Sequence, residues 1–245
     1  MKSKINNILK TILALCLIGL IFEGTYIYYH LPREKKYNPN DYQKPVEEEN
    51  WKPLPESFEL DVPFITQAPF RRWKEEPFNH TCEEAAVLIV HYYLEEKKEV
   101  DENETKKELL DLVDFQIKNY GFHEDTSVSQ TAKLIKDYYG YKVQVYYDIS
   151  LEDIKREIAK GNPVIIPTAG RLLENPNYTP PGPIYHMLVV KGYNQTEFIT
   201  QDPGTYRSGE NKTYPNEILE KAIHDWDGNE ENIEKTNPAM IVVMP

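Results

Sequence analysis

The amino-acid sequence predicts an α+β fold, with most helices early in the chain and an antiparallel sheet later. The first observation is a group of helix-forming segments between residues 82 and 160. The second is a series of short apolar or alternating segments after residue 140, which are typical of strands. The third is that the early part offers one strand candidate, residues 60–67, whose Pro63 suits only a sheet edge.

The elements follow in order along the chain. After the candidate edge strand, helices are predicted over residues 82–96, 109–120, 130–139 and 150–160. Gly140 ends the third helix and Gly161 the fourth, and Ser150 with Asp153 marks the start of the fourth. The remaining strands are predicted at residues 141–147, 163–168, 186–193, 197–201 and 239–244.

Composition excludes several classes of protein. The 245 residues carry 40 acidic and 28 basic side chains, a net charge of −12. A nucleic-acid binder needs a basic face to neutralise phosphates, so no nucleic-acid partner is predicted. The two cysteines allow one disulfide at most, which excludes a disulfide-stapled scaffold.

Residues 1–31 are predicted to be a membrane anchor or signal segment. Lysines at positions 2, 4 and 10 precede a run that is uncharged except for Glu23. A basic start and an apolar stretch are typical of a signal peptide, but no Ala-x-Ala-like cleavage site follows. Residues 11–31 supply the roughly 20 residues that an uncleaved span needs, with tyrosines at its outer end. An uncleaved anchor is preferred, and secretion after cleavage remains the alternative.

The remainder of the chain is predicted to lie outside the cytoplasm. The basic residues on the two sides of the span are nearly balanced, but a span this close to the N-terminus usually leaves that terminus in the cytoplasm. Residues 32–57 hold five prolines and the run Glu47-Glu48-Glu49, which predicts an extended stalk. The globular domain is predicted over residues 58–245.

Cys82 is the candidate nucleophile. Thr81 and Glu84 have the spacing of a capping box, which predicts Cys82 in the first turn of a helix. The helix macrodipole lowers the pKa of a thiol there, and Glu83 and Glu84 oppose that effect. The alternative is a small buried apolar residue. Because Cys16 falls in the predicted membrane segment, Cys82 is an unpaired thiol in an oxidising compartment, which favours a functional role.

His186 is the candidate base, and Asp202 is the candidate group that orients it. A hairpin centred near residue 194 or 195 places Asp202 opposite or diagonal to His186, at a Cβ separation of about 5–8 Å. A carboxylate there fixes the tautomer of the imidazole. A register slip of one residue would turn the two side chains to opposite faces. A zinc site of Cys82, His80 and His186 lacks a paired ligand motif, so no metal or cofactor is predicted.

Gln67 is the candidate oxyanion donor. It ends the first predicted strand, upstream of Cys82, and its amide can act together with the backbone N–H of Cys82. Taken alone, an isolated glutamine is more often an ordinary surface residue.

Four segments together resemble the bacterial peptidase C39-like domains, which are relatives of the papain-like cysteine peptidases. They are Val62-Pro63-Phe64-Ile65-Thr66-Gln67, Cys82-Glu83-Glu84-Ala85-Ala86, His186-Met187-Leu188-Val189-Val190 and Gln201-Asp202-Pro203-Gly204-Thr205. The resemblance covers residues 58–245 and implies a papain-like fold, with a central catalytic helix packed on an antiparallel sheet. It also implies Gln67 in the oxyanion hole, Cys82 as nucleophile, His186 as base and Asp202 as its orienting group.

Two departures from that family pattern accompany the resemblance. Many relatives follow the cysteine with glycine, where this chain has Glu83, and the Gln67 to Cys82 spacing is longer than in papain-type enzymes. Cleavage of leader peptides inside exporters does not carry over, because no transporter segments are present.

The predicted function is a membrane-anchored extracytoplasmic thiol hydrolase that acts on peptide or isopeptide bonds. The alternatives are an acyltransferase with the same Cys82, His186 and Asp202, and a non-catalytic peptide-binding module. The proline-rich segment 170–185, directly before His186, is either a rim that shapes the substrate or a rigid connection.

Overall fold

The computed structural model describes residues 53–244, which form a seven-stranded antiparallel sheet with five α-helices. The helices are α1 (Cys82–Leu94), α2 (Glu102–Tyr120), α3 (Val128–Tyr139), α4 (Leu151–Ala159) and α5 (Asn216–Ala222). The strands are β1 (Phe58–Glu59), β2 (Lys142–Tyr147), β3 (Val164–Ala169), β4 (Tyr185–Tyr193), β5 (Glu197–Gln201), β6 (Lys212–Pro215) and β7 (Ala239–Met244). The strand order is β2-β7-β3-β4-β5-β6, and the short β1 pairs with β4. The predicted α+β class is therefore confirmed.

The core lies between α1 and the middle of the sheet. Helix α1 packs against β4, and its residues from Cys82 to Val90 are all buried. All nine residues of β4 are buried as well, because strands β3 and β5 flank it and helices cover it. A helix that is apolar on every face belongs in such a position, as the sequence predicts. The two elements that carry Cys82 and His186 are thus neighbours in the core.

The hairpin of β4 and β5 sets the spacing between His186 and Asp202. Val189 pairs with Gln201 and Gly192 pairs with Ile199, and the register shifts between these two pairs at a bulge. Asp202 follows the last residue of β5, so it falls near Leu188, diagonal to His186. The predicted hairpin is confirmed.

The start of α4 and the end of α3 were predicted correctly. Ser150 and Asp153 form a capping box at the start of α4, and Gly140 ends α3 in the left-handed region at φ 77°. Helix α2 begins seven residues earlier than predicted, because Asp101 caps it through the N–H groups of Asn103 and Glu104.

Two local predictions were wrong. The segment 60–67 is not a strand, and only Phe58–Glu59 pairs with β4. Pro63 has no N–H to give to a ladder, and Gln67 donates its N–H to the carbonyl of Pro203 in a loop. Thr81 precedes α1 but does not cap it, since its hydroxyl donates to the carbonyl oxygen of Gln67 at 2.9 Å.

The predicted anchor and nearly all of the predicted stalk lie outside the described residues. Among residues 53–244, no helix has both the length and the apolar character that crossing a membrane requires. The three predicted segment boundaries stay predictions.

Candidate active site

The thiol of Cys82 lies at the start of α1, against the strand that carries His186. The backbone N–H of Met187, the residue after His186, is directed at the sulfur. Cys82 is 6% exposed, and it lines a cleft together with Gln67 and His186. The fold therefore brings these three predicted site residues to one place.

Glu83 is the direct hydrogen-bond partner of the thiol. Cys82 Sγ donates to Glu83 Oε2 at 3.0 Å, and Glu83 Oε1 accepts from the backbone N–H of Thr126 at 2.8 Å. Burial, and then the neighbouring Glu83 carboxylate, raises the pKa of Cys82 well above its ordinary value. The lowering that the helix macrodipole would give is outweighed, so the resting group is a neutral thiol.

His186 and Asp202 form a buried pair. His186 Nε2 lies 2.8 Å from Asp202 Oδ1, and the two side chains are 3% and 0% exposed. With Nε2 bound to the carboxylate, Nδ1 is the nitrogen left to exchange a proton with a thiol. Asp202 therefore lies within hydrogen-bond distance of His186, as the predicted hairpin requires.

Three further side chains converge on the other carboxylate oxygen. Asp202 Oδ2 accepts hydrogen bonds from Asn175 Nδ2 at 2.8 Å, Tyr178 OH at 2.8 Å and Tyr214 OH at 2.7 Å. Burial acts against the ionised carboxylate, but His186 and the tyrosine hydroxyls more than offset it and hold the pKa of Asp202 below its usual value. Asp202 is thus held ionised and fixed in direction.

Sequence reasoning did not find these three donors. Asn175 and Tyr178 belong to the segment 170–185 that was singled out as a possible rim, but Tyr214 lies on β6, which was not predicted at all. In the sequence they are 12 to 27 residues away from Asp202, and no periodic pattern relates their positions to it. The one available signal was the placement of tyrosine in a proline-rich loop directly before His186.

Gln67 lies in the cleft with its amide held by the backbone. Its Nε2 donates to the carbonyl oxygens of Phe78 at 3.1 Å and Asn79 at 3.3 Å. These bonds, with that of Thr81 to the Gln67 carbonyl, join Gln67 to the loop that leads into Cys82.

The cleft has a volume of about 700 Å³ and a mixed lining. Its aromatic residues are Trp73, Tyr178, Tyr185, Tyr206 and Trp226, and its charged residues include Arg71, Asp125 and Glu230. Gly204 lies directly against the imidazole, because a Cβ at that position would be 2.7 Å from His186 Cε1. The loop before β4 lines one wall of the cleft.

One group of side chains near the cleft has the composition of a metal site. Ligand atoms of Glu76, His80 and Glu124 lie within 4.8 Å of one another, and His80 also lines the cleft. The zinc set considered from the sequence, Cys82 with His80 and His186, does not form such a group among residues 53–244.

A buried thiol beside a hydrogen-bonded histidine–carboxylate pair is the arrangement of a cysteine peptidase. The family model that matches the chain agrees, because residues 59–232 match the Peptidase_C39 like family. The chain belongs to this family, as the sequence resemblance predicted. No curated protein matches it.

The chain is also similar to solved structures. A C39-like peptidase from Bacillus anthracis is similar with a TM-score of 0.52 at 19% identity, over 78% of this chain and 99% of that one. Xylellain, a cysteine protease from Xylella fastidiosa, has a TM-score of 0.38 at 14% identity, over 82% of this chain and 94% of that one. The crystal structure that concerns the mite allergens Blo t 1 and Der p 1 has a TM-score of 0.48 at 14% identity, over 90% and 82%.

Family and fold together confirm the predicted cysteine peptidase class and the papain-like α+β fold. A peptide is accordingly the class of substrate that the family suggests.

Proposed function

We propose that the chain is a membrane-anchored extracytoplasmic thiol hydrolase that cleaves peptide or isopeptide bonds with Cys82, His186 and Asp202. The observation that carries the proposal is the buried 2.8 Å bond between His186 Nε2 and Asp202 Oδ1, one residue away from the N–H that points at the Cys82 sulfur. This geometry leaves His186 Nδ1 for the thiol proton.

The reaction has two half-reactions, the formation of a thioester on Cys82 and its hydrolysis. His186 Nδ1 takes the proton from Cys82, and the sulfur attacks the carbonyl carbon of the scissile bond. The resulting imidazolium is stabilised by the ionised Asp202 and gives its proton to the leaving amine, which leaves a thioester on Cys82. Water, deprotonated by the same imidazole, then hydrolyses the thioester and restores the thiol.

The oxyanion of each tetrahedral intermediate is assigned to the Cys82 backbone N–H and the Gln67 amide. Gln67 Nε2 carries two hydrogens, and its bond to the Phe78 carbonyl needs only one. The second hydrogen, which now faces the Asn79 carbonyl at 3.3 Å, is the one available to an oxyanion in the cleft.

The first step also requires the thiol to leave Glu83. The S–H group donates to Glu83 Oε2 before substrate binds, so the side chain of Cys82 must rotate toward His186. The resting enzyme is therefore a protected thiol, which suits a compartment where free thiols oxidise.

The membrane part of the proposal is supported by residues 1–31. The uncharged run after Lys10, the length of residues 11–31 and the outer tyrosines support an anchor. The closeness of this span to the N-terminus supports a cytoplasmic N-terminus.

The test is turnover of fractionated envelope peptides by the full chain, followed by mass spectrometry. Cys82→Ser and His186→Ala should abolish product, and Asp202→Asn should lower kcat/KM by about 10³- to 10⁴-fold. His224→Ala is the matched control, because His224 is not among the residues that line the cleft, and its ring is hydrogen-bonded to the Thr236 carbonyl at 2.8 Å.

Two other results would replace the proposal. Products that carry an added amine instead of water would make the chain an acyltransferase. No Cys82-dependent product from any peptide pool would leave a non-catalytic peptide-binding module.

A further inference from the structure

Asp125 presents a carboxyl group to the catalytic cleft. It lines the cleft with Cys82 and His186, and it is half-buried. Within residues 53–244, its side chain makes neither a hydrogen bond nor an ion pair. A carboxylate that has lost part of its water without gaining a donor is normally avoided, unless a ligand supplies the missing group.

The backbone next to Asp125 is fixed on two sides. Thr126 donates its N–H to Glu83 at the start of α1, at 2.8 Å. The Thr126 carbonyl accepts from the hydroxyl of Tyr185 at the start of β4, also at 2.8 Å. Asp125 is therefore held in place beside the two elements that carry Cys82 and His186.

An aromatic surface lies beside this carboxylate. The rings of Tyr185 and Trp226 are 5.4 Å apart, and both residues line the cleft. Because the Tyr185 hydroxyl is hydrogen-bonded to Thr126, the residue after Asp125, these rings and the carboxylate belong to the same wall of the cleft. A carboxylate with aromatic faces beside it is a favourable environment for an ammonium or guanidinium group.

The ionisable groups around Asp125 act on it without a hydrogen bond or an ion pair. The ionisable residues that act on it are His80 and His123, with Glu124 and Glu230 adding negative charge. Arg71 lines the same cleft, but its guanidinium lies over the Tyr206 ring, 4.7 Å from the centroid, and it forms no ion pair with Asp125.

When no ligand is bound, the position of Asp125 disfavours ionisation of the Cys82 thiol. Its charge contributes to the raised pKa of Cys82, after burial and Glu83. A cation placed against Asp125 cancels this contribution and favours the thiolate. The same contact therefore binds a substrate and helps to activate the thiol that attacks it.

We propose that Asp125 determines specificity by binding an ammonium or guanidinium group of the substrate in the catalytic cleft. The substrate class is then a peptide with a basic side chain or a free amino terminus close to the scissile bond. The peptide part of this class rests on the proposed function, whereas the cation site does not.

The first test compares peptides that differ only by lysine or norleucine, at each position around the scissile bond, with the full chain as enzyme. At one position, lysine should raise kcat/KM about tenfold or more over norleucine, as expected for one close charge pair. In Asp125→Asn the ratio should fall to within about twofold of one. Asparagine adopts φ 48° readily, so the backbone at this position is preserved.

Asp114→Asn is the matched control. Asp114 is an exposed aspartate on α2 that lines a separate cavity of about 430 Å³, so the lysine preference should be unchanged. Hydrolysis without a lysine preference, or with a preference that survives in Asp125→Asn, would overturn the inference and leave the proposed function intact.

The second test needs no turnover. In the full chain with Cys16→Ser, Cys82 is the sole thiol, and its modification by a cationic methanethiosulfonate is compared with that by the neutral methyl reagent. The ratio of the two rates, divided by the same ratio for free cysteine, should be about tenfold and should drop toward one in Asp125→Asn. A corrected ratio near one in the unsubstituted Asp125 protein would overturn the inference, even if no peptide is cleaved.

Discussion

At the scale of single residues, the reactivity of Cys82 is decided by its side-chain neighbours more than by its helix. The N-terminal position on α1 favours a thiolate, but burial and the Glu83 carboxylate both favour the thiol. Partial charges at a helix end contribute about 1 kcal/mol, whereas removing a charged sulfur from water costs several. The balance explains why a nucleophile at a helix N-terminus rests in the protonated form.

Replacing Glu83 by glutamine should lower the pKa of Cys82. The amide oxygen of glutamine keeps an acceptor for Thr126 or the thiol. Burial and then Glu84 raise the pKa of Glu83 itself, and glutamine removes the negative charge that this carboxyl group carries once it ionises. The midpoint of the pH–rate profile for iodoacetamide modification, in a Cys16→Ser chain, should move to lower pH by about one unit or more.

Glu84→Gln is the control for this change, because Glu84 contacts Gln116 and His123 and not the thiol. An unmoved midpoint in Glu83→Gln would mean that the Glu83 carboxylate does not govern the thiol.

At the scale of elements, the loop before β4 and strand β6 both act on the site through Asp202. Tyr178 comes from the loop and lines the cleft, whereas Tyr214 comes from β6 and is buried beneath it. Each donates a hydrogen bond of similar length to the same oxygen. The two tyrosines are positioning residues for His186, and only Tyr178 is also placed to meet substrate.

The two tyrosines should therefore differ in kinetics when each is changed to phenylalanine. Loss of one donor to Asp202, about 0.5–1.5 kcal/mol, should lower kcat by about two- to tenfold in both variants. Tyr178→Phe should raise KM as well, because the loop that it ties to Asp202 lines the cleft. Equal KM values in steady-state assays of the two variants would contradict a role for this loop in substrate binding.

Asp225 links the segment after α5 to the start of α3. Its Oδ1 accepts the backbone N–H of Val128, the first residue of that helix, and burial raises the pKa of Asp225 to about 6. Between the unfolded value near 3.9 and this value, the folded protein holds a proton that the unfolded chain has released. The free energy of unfolding should therefore fall as pH rises from about 4 to about 6.

Asp225→Asn should remove this pH dependence. The stability of the wild type relative to the variant should drop by up to about 3 kcal/mol across that window, measured by urea unfolding at a series of pH values. Asp114→Asn, at an exposed position on α2, should show a constant difference. A constant difference for Asp225→Asn would disprove the coupling.

The sequence predicted the elements of the site where long apolar patterns define them. Cys82 on a buried helix and the His186–Asp202 hairpin followed from runs of apolar residues, since such runs must be covered and paired. The strand prediction for residues 60–67 failed because the pairing with β4 ends after the bond from the Leu60 N–H to the Lys191 carbonyl, although Val62 and Ile65 are buried in the core. Strand β6 and helix α5 are too short to show a hydrophobic periodicity, so the sequence did not indicate the role of Tyr214.

At the scale of the whole molecule, the negative net charge and the proposed cation site at Asp125 favour the same kind of substrate. The chain from Pro32 onward carries 25 basic and 39 acidic residues, a net charge of −14 once the three lysines and one glutamate of residues 1–31 are left out. Such a surface repels anionic polymers and attracts cationic peptides at long range, while Asp125 would select them at short range. The general field and the single carboxylate therefore favour the same substrates.

The proposed topology predicts that the domain is exposed to protease on intact cells. A span over residues 11–31 with a cytoplasmic N-terminus puts Cys82 and the rest of the domain outside, since about 20 apolar residues cross the bilayer once. Added protease should degrade the domain without lysis, and a variant lacking residues 1–31 should be protected until lysis. The membrane fraction should hold a chain of 28.7 kDa if the anchor is uncleaved, and a shorter released chain would indicate a signal peptide. Protection of the full-length chain in intact cells would contradict the extracytoplasmic location, because the same span in the opposite orientation leaves the domain in the cytoplasm.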